Sequence, residues 1–151
     1  MLRPFDKKIL DVLEKKKIIS AKQVANIEII LERESKRTLD SILRKKKFLE
    51  DEDLAQIKSE ILGKEYISLL DKDVPGEILN LIPLDISENY QMIAFDKDGD
   101  SVHVGMVNPL NNQALEALDF LGVKNKWKVK IYIITLVDFK QTLSKYRNVG
   151  R

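Results

Sequence analysis

The stretch 101–121, SVHVGMVNPLNNQALEALDFL, decides the fold of this chain because its hydrophobic period changes at the midpoint. In its first part every second residue is apolar, which is typical of a β-strand: Val102, Val104 and Met106. Asn108-Pro109 then ends the strand, because proline has no N–H to donate to a ladder. In the second part apolar residues recur every three or four positions up to Leu121, which predicts an amphipathic helix.

The residues after this helix predict how the sheet continues. Gly122 is expected to end the helix, since glycine favours the left-handed conformation of a C-terminal cap. Lysines then alternate with apolar residues, which indicates an edge strand with a charged solvent face: Lys124, Lys126, Lys128 and Lys130. A crossover helix commonly leads to a parallel strand, and 129–134 is the candidate.

The composition excludes several classes of protein. The 151 residues are 44% hydrophobic and 33% charged, which suits a soluble core. There is no cysteine, so a disulfide scaffold and a thiolate metal site are excluded. No apolar run approaches the length of a membrane span, and the N-terminus lacks the apolar core of a signal peptide. The sequence therefore predicts a cytoplasmic protein.

The first 63 residues contain four amphipathic helices and an internal repeat. Residues 8–20, KILDVLEKKKIIS, align with residues 38–50, TLDSILRKKKFLE, at an offset of 30 positions. In each copy a short helix ends in three lysines, and two apolar residues, a cap and a longer helix follow. Ser20 is the predicted N-cap of the second helix, and Gly63 ends the fourth. The lysine triplets are interpreted as solvated helix ends, with an anion- or partner-facing patch as the alternative.

These patterns predict an α+β chain of two subdomains. Residues 1–63 form a helical subdomain with the tandem 30-residue repeat, and residues 64–151 form a sheet of about three strands covered by helices. Charge is uneven along the chain: residues 1–64 hold 16 Lys or Arg against 12 Asp or Glu, and residues 65–151 hold 10 against 12. The charged stretch 63–73 is the expected hinge.

Signals of catalysis are few. The chain has no phosphate loop and no G-x-G-x-x-G motif, and its single histidine excludes a multi-histidine metal site. His103 lies within the predicted strand and is interpreted as structural. Asp96, Asp98 and Asp100 resemble the start of a calcium loop, but the glycine spacing predicts a hairpin turn. Trp127 between two lysines could stack on a base, although a partly buried core position is the preferred interpretation. No enzymatic activity is expected.

Several stretches together resemble the N-terminal domain of bacterial type II secretion and type IV pilus assembly ATPases. Residues 107–118, VNPLNNQALEAL, resemble the family's D-P-L-N-x-x-A-L-x-x-L, with Asn108 where Asp is usual. Residues 81–90, LIPLDISENY, resemble its L-I-P-x-x-x-A-x-x-Y, and residues 54–69 resemble its passage from helix to strand. The resemblance extends over residues 5–147. It implies a domain that precedes a hexameric motor ATPase and is itself without the phosphate loop.

The resemblance implies a non-enzymatic role in docking and regulation. The expected partners are the motor ATPase domain and an inner-membrane platform or cytoplasmic scaffold protein of a pilus or secretion machine. The domain is then cytoplasmic and is held at the inner membrane only through partners. A weaker alternative is a nucleic-acid-binding protein that uses the lysine triplets, but the net charge of +2 argues against a dedicated one.

Family members of the MshEN type bind cyclic di-GMP through two tandem repeats of the pattern R-L-G-x-x-L…G…Q, and the 30-residue repeat falls on both. The polar ligand contacts do not carry over. The departures in the first copy are Lys8-Ile9-Leu10 for Arg-Leu-Gly, Lys17 for the second Gly and Leu31 for Gln. In the second copy, Thr38-Leu39-Asp40 replaces Arg-Leu-Gly, Lys47 replaces the second Gly and Ile61 replaces Gln. No cofactor is therefore expected, and cyclic di-GMP sensing through a degenerate motif is the alternative function. The candidate ligand or partner patch consists of Lys8, Lys17, Arg37, Leu39, Leu43 and Lys47.

Overall fold

The computed structural model describes residues 2–149, and the side chains of residues 2–145. The chain divides into two compact units, Met1–Gly63 and Lys64–Arg151. The predicted α+β class is confirmed, because four helices precede a three-stranded mixed sheet with four further helices in the described residues. None of the helices in this part of the chain has the length and hydrophobicity needed to cross a bilayer.

The first unit consists of four helices: α1 (Pro4–Lys15), α2 (Ala21–Arg33), α3 (Leu39–Lys46) and α4 (Asp51–Leu62). Ser20 caps α2 as predicted, since its hydroxyl accepts from the Gln23 N–H at 3.2 Å and the Gln23 side chain accepts from the Ser20 N–H at 2.8 Å. Gly63 caps α4 in the left-handed conformation, with φ of 65°. Apolar residues of all four helices form one core, among them Ile9, Leu13, Ile27, Leu31, Leu39, Leu43 and Leu54.

The second unit contains the sheet. Its elements are α5 (Gly76–Leu79), α6 (Leu84–Tyr90), β1 (Met92–Asp98), β2 (Ser101–Met106), α7 (Asn112–Asn125), β3 (Lys128–Ile133) and α8 (Leu136–Val149). The strand order is β1-β2-β3, with β1 antiparallel and β3 parallel to β2. The predicted hairpin turn at Gly99 and the predicted crossover through α7 are both confirmed. One core cluster joins α7 to the sheet, and the other contains residues of β1, β3, α5 and α8.

The predicted end of α7 was wrong. The helix continues through Gly122 to Asn125, and Lys126 is the left-handed cap, with φ of 60°. Glycine at position 122 allows close packing against β3, because a Cβ there would lie 3.3 Å from Val129 Cγ2, tighter than most Cβ contacts. The lysine alternation therefore spans a helix end and a strand, and β3 begins only at Lys128.

The stretch 63–73, which we expected to be a hinge, is partly fixed to the second unit. Ile67 donates its N–H to the Ile133 carbonyl at 3.0 Å, and Ile133 donates to the Glu65 carbonyl at 2.9 Å. The Leu69 N–H donates to the Asp138 carboxylate at 3.0 Å. Residues 65–69 thus form a short extended segment beside β3, and residues 70–73, which follow it, are all exposed.

Candidate functional site

The two repeats of the first unit contain the same turn after their first helix, at Lys17 and at Lys47, which we call the corner. After α1 the chain turns through Lys17 with φ of 62°, and after α3 it turns through Lys47 with φ of 55°. At both corners the next residue donates its N–H to a carbonyl five positions earlier: Ile18 to Leu13 at 2.9 Å, and Phe48 to Leu43 at 3.4 Å. This bond belongs to the Schellman motif, which usually places glycine at the left-handed residue. Lysine stands at both positions where the resembled motif has its second glycine, and the backbone at both is left-handed.

The six residues of the predicted patch lie in different environments. Lys8, Lys17 and Lys47 are exposed and form no ion pair within the described residues. The guanidinium of Arg37 is half-buried and pairs with Glu34 at 3.1 Å. Leu39 and Leu43 are 0% and 1% exposed in the helical core. The two leucines therefore support the corner from inside, and only the cations are available to a ligand.

An ion pair that the sequence did not predict lies at the family's first glycine position in the second repeat. Asp40 accepts a hydrogen bond from Lys58, a lysine that is only 8% exposed. The equivalent residue of the first repeat, Leu10, is 0% exposed in the core. A signal was present, because Lys58 lies on the apolar stripe of α4, four residues after Leu54. A lysine at such a position requires a partner.

A second candidate surface lies in the sheet-containing unit, between α7 and β3. A groove of about 690 Å³ is lined mainly by apolar side chains and by the backbone of Gly122: Leu115, Leu118, Asp119, Gly122, Val123, Lys126, Trp127, Val129 and Ile131. Val123 in the groove is 74% exposed, and Phe120 on the same helix is 66% exposed. The sequence did not predict this surface, because the lysine alternation that begins at Lys124 indicated a strand where α7 in fact continues to Asn125.

The remaining candidate residues have structural surroundings. His103 is half-buried, with its Nδ1 3.4 Å from the Tyr132 hydroxyl and 3.9 Å from an Asp96 oxygen. Its ring lies beside Phe95 and Tyr132, with ring centroids 6.1 and 5.2 Å away. Trp127 is half-buried against the core beneath α7. Within the described residues, no three His, Asp or Glu side chains are grouped so that they could hold a metal ion.

Comparison with known proteins identifies a family for the second unit. The family model described as the MshEN domain matches residues 62–151, which is more than half of the chain and includes the whole α7–β3 groove. The type IV pilus assembly ATPase PilB of Myxococcus xanthus is 24% identical over 136 residues. That alignment covers 90% of this chain but only 23% of the PilB sequence.

Solved structures share the fold. A structure of MshE with cyclic di-GMP superposes with a TM-score of 0.76 at 19% identity, and the match covers 91% of this chain and 97% of the other. A structure of the N-terminal domain of XpsE gives a TM-score of 0.70 at 11% identity and covers 97% of this chain and 98% of the other. A second crystal form of that domain gives a TM-score of 0.56 at 13% identity, with coverage of 97% and 99%.

Proposed function

Because this chain belongs to the MshEN domain family, we propose that it is a non-enzymatic docking and regulatory domain of a type IV pilus or type II secretion assembly ATPase. In this role it links the motor ATPase domain to an inner-membrane platform or cytoplasmic scaffold protein. It acts on the cytoplasmic side and reaches the inner membrane only through these partners.

The observation that carries the proposal is the exposed apolar surface within the family-matched residues. Val123 and Phe120, both on α7, are 74% and 66% exposed, and Val123 lines the groove together with the half-buried Trp127. Contiguous exposed apolar side chains of this kind mark binding surfaces more often than they serve the fold. The similarity to PilB supports an ATPase context, since the chain spans only 23% of that relative.

A direct binding measurement tests the proposal. The full chain is titrated with the purified cytoplasmic part of the platform protein and with the motor ATPase domain from the same genome. A dissociation constant below about 10 μM for either one supports docking. Absence of binding to both at about 1 mM would refute it. The chain alone is expected to release no phosphate from ATP, and hydrolysis abolished by one substitution in this chain would contradict the non-enzymatic role.

A second candidate function is the sensing of cyclic di-GMP through the degenerate repeat. It is favoured by the left-handed backbone at Lys17 and Lys47, the two positions where the ligand-binding motif has glycine. The structural similarity to MshE with cyclic di-GMP adds support at the level of the fold. Leu10 and the Asp40–Lys58 pair argue against it, since they fill both first-glycine positions with side chains. Calorimetric titration with cyclic di-GMP tests this second function.

A further inference from the structure

The outer edge of β3 is open over its first half. Lys128 donates its N–H to Asp100 and Ile134 donates to Met106, so the even-numbered residues bond toward β2. The N–H and C=O of odd-numbered residues therefore point to the other edge. The backbone N–H and C=O of Ile133 are bonded to residues 65–67. The backbone N–H and C=O of Val129 and Ile131 have no hydrogen-bond partner among the described residues of the second unit. Two donors and two acceptors are thus available along this edge.

One face of the open edge is apolar. The side chains of Val129 and Ile131 pack under α7 and line the groove, with Trp127 and Val123 beside them. Val123, on α7 beside this edge, is 74% exposed. An added strand would cover these side chains with every second residue of its own.

The other face of the edge is positively charged. Lys128 and Lys130 alternate with the two apolar residues, and both are exposed. Lys130 Nζ lies 4.9 Å from the centroid of the Tyr132 ring. Interaction with Tyr132, with a smaller contribution from Glu65, raises the pKa of Lys130 above its ordinary value. Lys124 and Lys126 add two further charges where α7 ends. An acidic side chain would therefore be attracted to this face.

We propose that the open half of β3 binds an extended segment of a partner protein, which adds a fourth strand to the sheet. Its alternate side chains are apolar toward the α7 groove and acidic toward Lys128 and Lys130. The inference rests on the proposed docking function, and it names the surface and the chemistry of the partner. Main-chain hydrogen bonds to Val129 and Ile131 provide affinity, and the two chemically different faces set the register.

A synthetic probe tests this proposal without any component of the secretion machine. The probe is a seven-residue peptide in which Glu alternates with Val or Ile, and the control peptide has Lys in place of Glu. With the full chain, we expect millimolar or tighter binding of the acidic peptide only, with amide chemical-shift changes at Val129 and Ile131. Binding of both peptides alike, or of neither at about 1 mM, would overturn the proposal.

N-methylation of the peptide separates strand addition from simple groove binding. In an extended strand the N–H groups alternate between the two edges, so methylation of one alternate set blocks pairing and methylation of the other does not. We expect at least a tenfold difference in affinity between the two methylated peptides. Equal affinities, or shifts confined to α7, would mean that the groove binds its occupant as a helix or an irregular segment.

Surface variants with matched controls locate the site on the protein. Val123→Asp and the pair Lys128→Glu with Lys130→Glu are each expected to weaken binding about tenfold or more. Val137→Asp and the pair Lys140→Glu with Lys145→Glu alter exposed residues of α8 and are expected to change affinity less than about twofold. Concentration-dependent dimers lost in Val123→Asp would instead assign the surface to a second copy of this chain and refute the proposal.

The same variants distinguish this inference from the proposed function. If the peptide binds as expected while neither the platform protein nor the motor domain binds, the strand-addition surface stands and the docking function fails. If a platform or motor protein binds equally well to the chain and to Val123→Asp, the docking function stands and this surface is not the site.

Discussion

Lys17 and Lys47 occupy equivalent positions in the two repeats and share a left-handed backbone, with φ angles of 62° and 55°. Each one follows the end of a short helix, and each is exposed. The backbone of the repeat is therefore preserved at two positions where the residue type is not the one that this conformation favours. The side chains at these corners contribute positive charge without ion pairs among the described residues.

Replacing either corner lysine by glycine is expected to stabilise the helical unit. A left-handed conformation costs an L-residue about 1–2 kcal/mol, and glycine loses about 0.5–1 kcal/mol more backbone entropy on folding. Lys17→Gly and Lys47→Gly should therefore each raise the free energy of unfolding by about 0.5–1 kcal/mol. Urea denaturation measures the change. Lys16→Gly is the control, because Lys16 has a right-handed φ of −79°, and a loss of stability is expected there.

Removal of Asp40 should destabilise the helical unit through Lys58. Lys58 is 8% exposed, so Asp40→Ala leaves a buried ammonium without its partner. We expect a loss of about 1–3 kcal/mol in the free energy of unfolding. Asp40→Leu with Lys58→Met removes both charges and should recover most of this loss. Glu34→Ala breaks an exposed pair and should cost less than about 0.5 kcal/mol; an equal cost would contradict the role of burial.

Cyclic di-GMP is expected to bind weakly. Leu10 and Asp40 intrude where the motif has glycine, Asp40 is negative like the ligand, and Arg37 already pairs with Glu34. The dissociation constant should exceed about 100 μM by calorimetry in physiological salt. A value at or below about 10 μM, lost in Arg37→Ala but retained in Arg33→Ala, would show that the degenerate repeat still senses the nucleotide.

Asp138 should be the most sensitive polar residue of the second unit. It is 1% exposed and accepts hydrogen bonds from the Leu69 N–H, the Thr135 N–H and the Thr135 hydroxyl, at 3.0, 3.0 and 2.8 Å. Asp138→Asn replaces one of the two accepting oxygens by an NH2 group, which leaves at least one buried donor without an acceptor, and should cost about 1–3 kcal/mol in thermal or urea unfolding. Asp71→Asn alters an exposed aspartate and should change stability by less than about 0.5 kcal/mol. Similar losses in both variants would argue that Asp138 does not hold residue 69 to α8.

The two-subdomain organisation remains a prediction that limited proteolysis can test. Residues 65–69 are fixed by hydrogen bonds to β3 and Asp138, so the first tryptic cut is expected after Lys64 or Lys72. Two fragments should then persist on a gel. First cuts inside residues 39–62, with 64–73 protected, would contradict the organisation into 1–63 and 64–151.

Local periodicity predicted most of the elements because each one depends on neighbours in sequence. The alternation at Val102 and Val104, and the three- and four-residue spacing up to Leu121, predicted β2 and most of α7 correctly. The predicted end of α7 was wrong because Gly122 is not a helix cap. It lies next to Val129, a contact that forms only after the chain has folded back. Of the candidate patch, the sequence alone could not separate buried Leu39 and Leu43 from the exposed lysines.

The sequence by itself determined the α+β class, the four-helix repeat and the family, since periodicity, caps and spaced motifs are properties of short segments. The tertiary structure decided which charges are paired and which surfaces stay open. Asp40 pairs with Lys58, which lies 18 residues further along the chain. The edge at Val129 and Ile131 is open because residues 65–67 form backbone hydrogen bonds with Ile133 only. Pairings of this kind join residues that are distant along the chain, and packing alone brings them together.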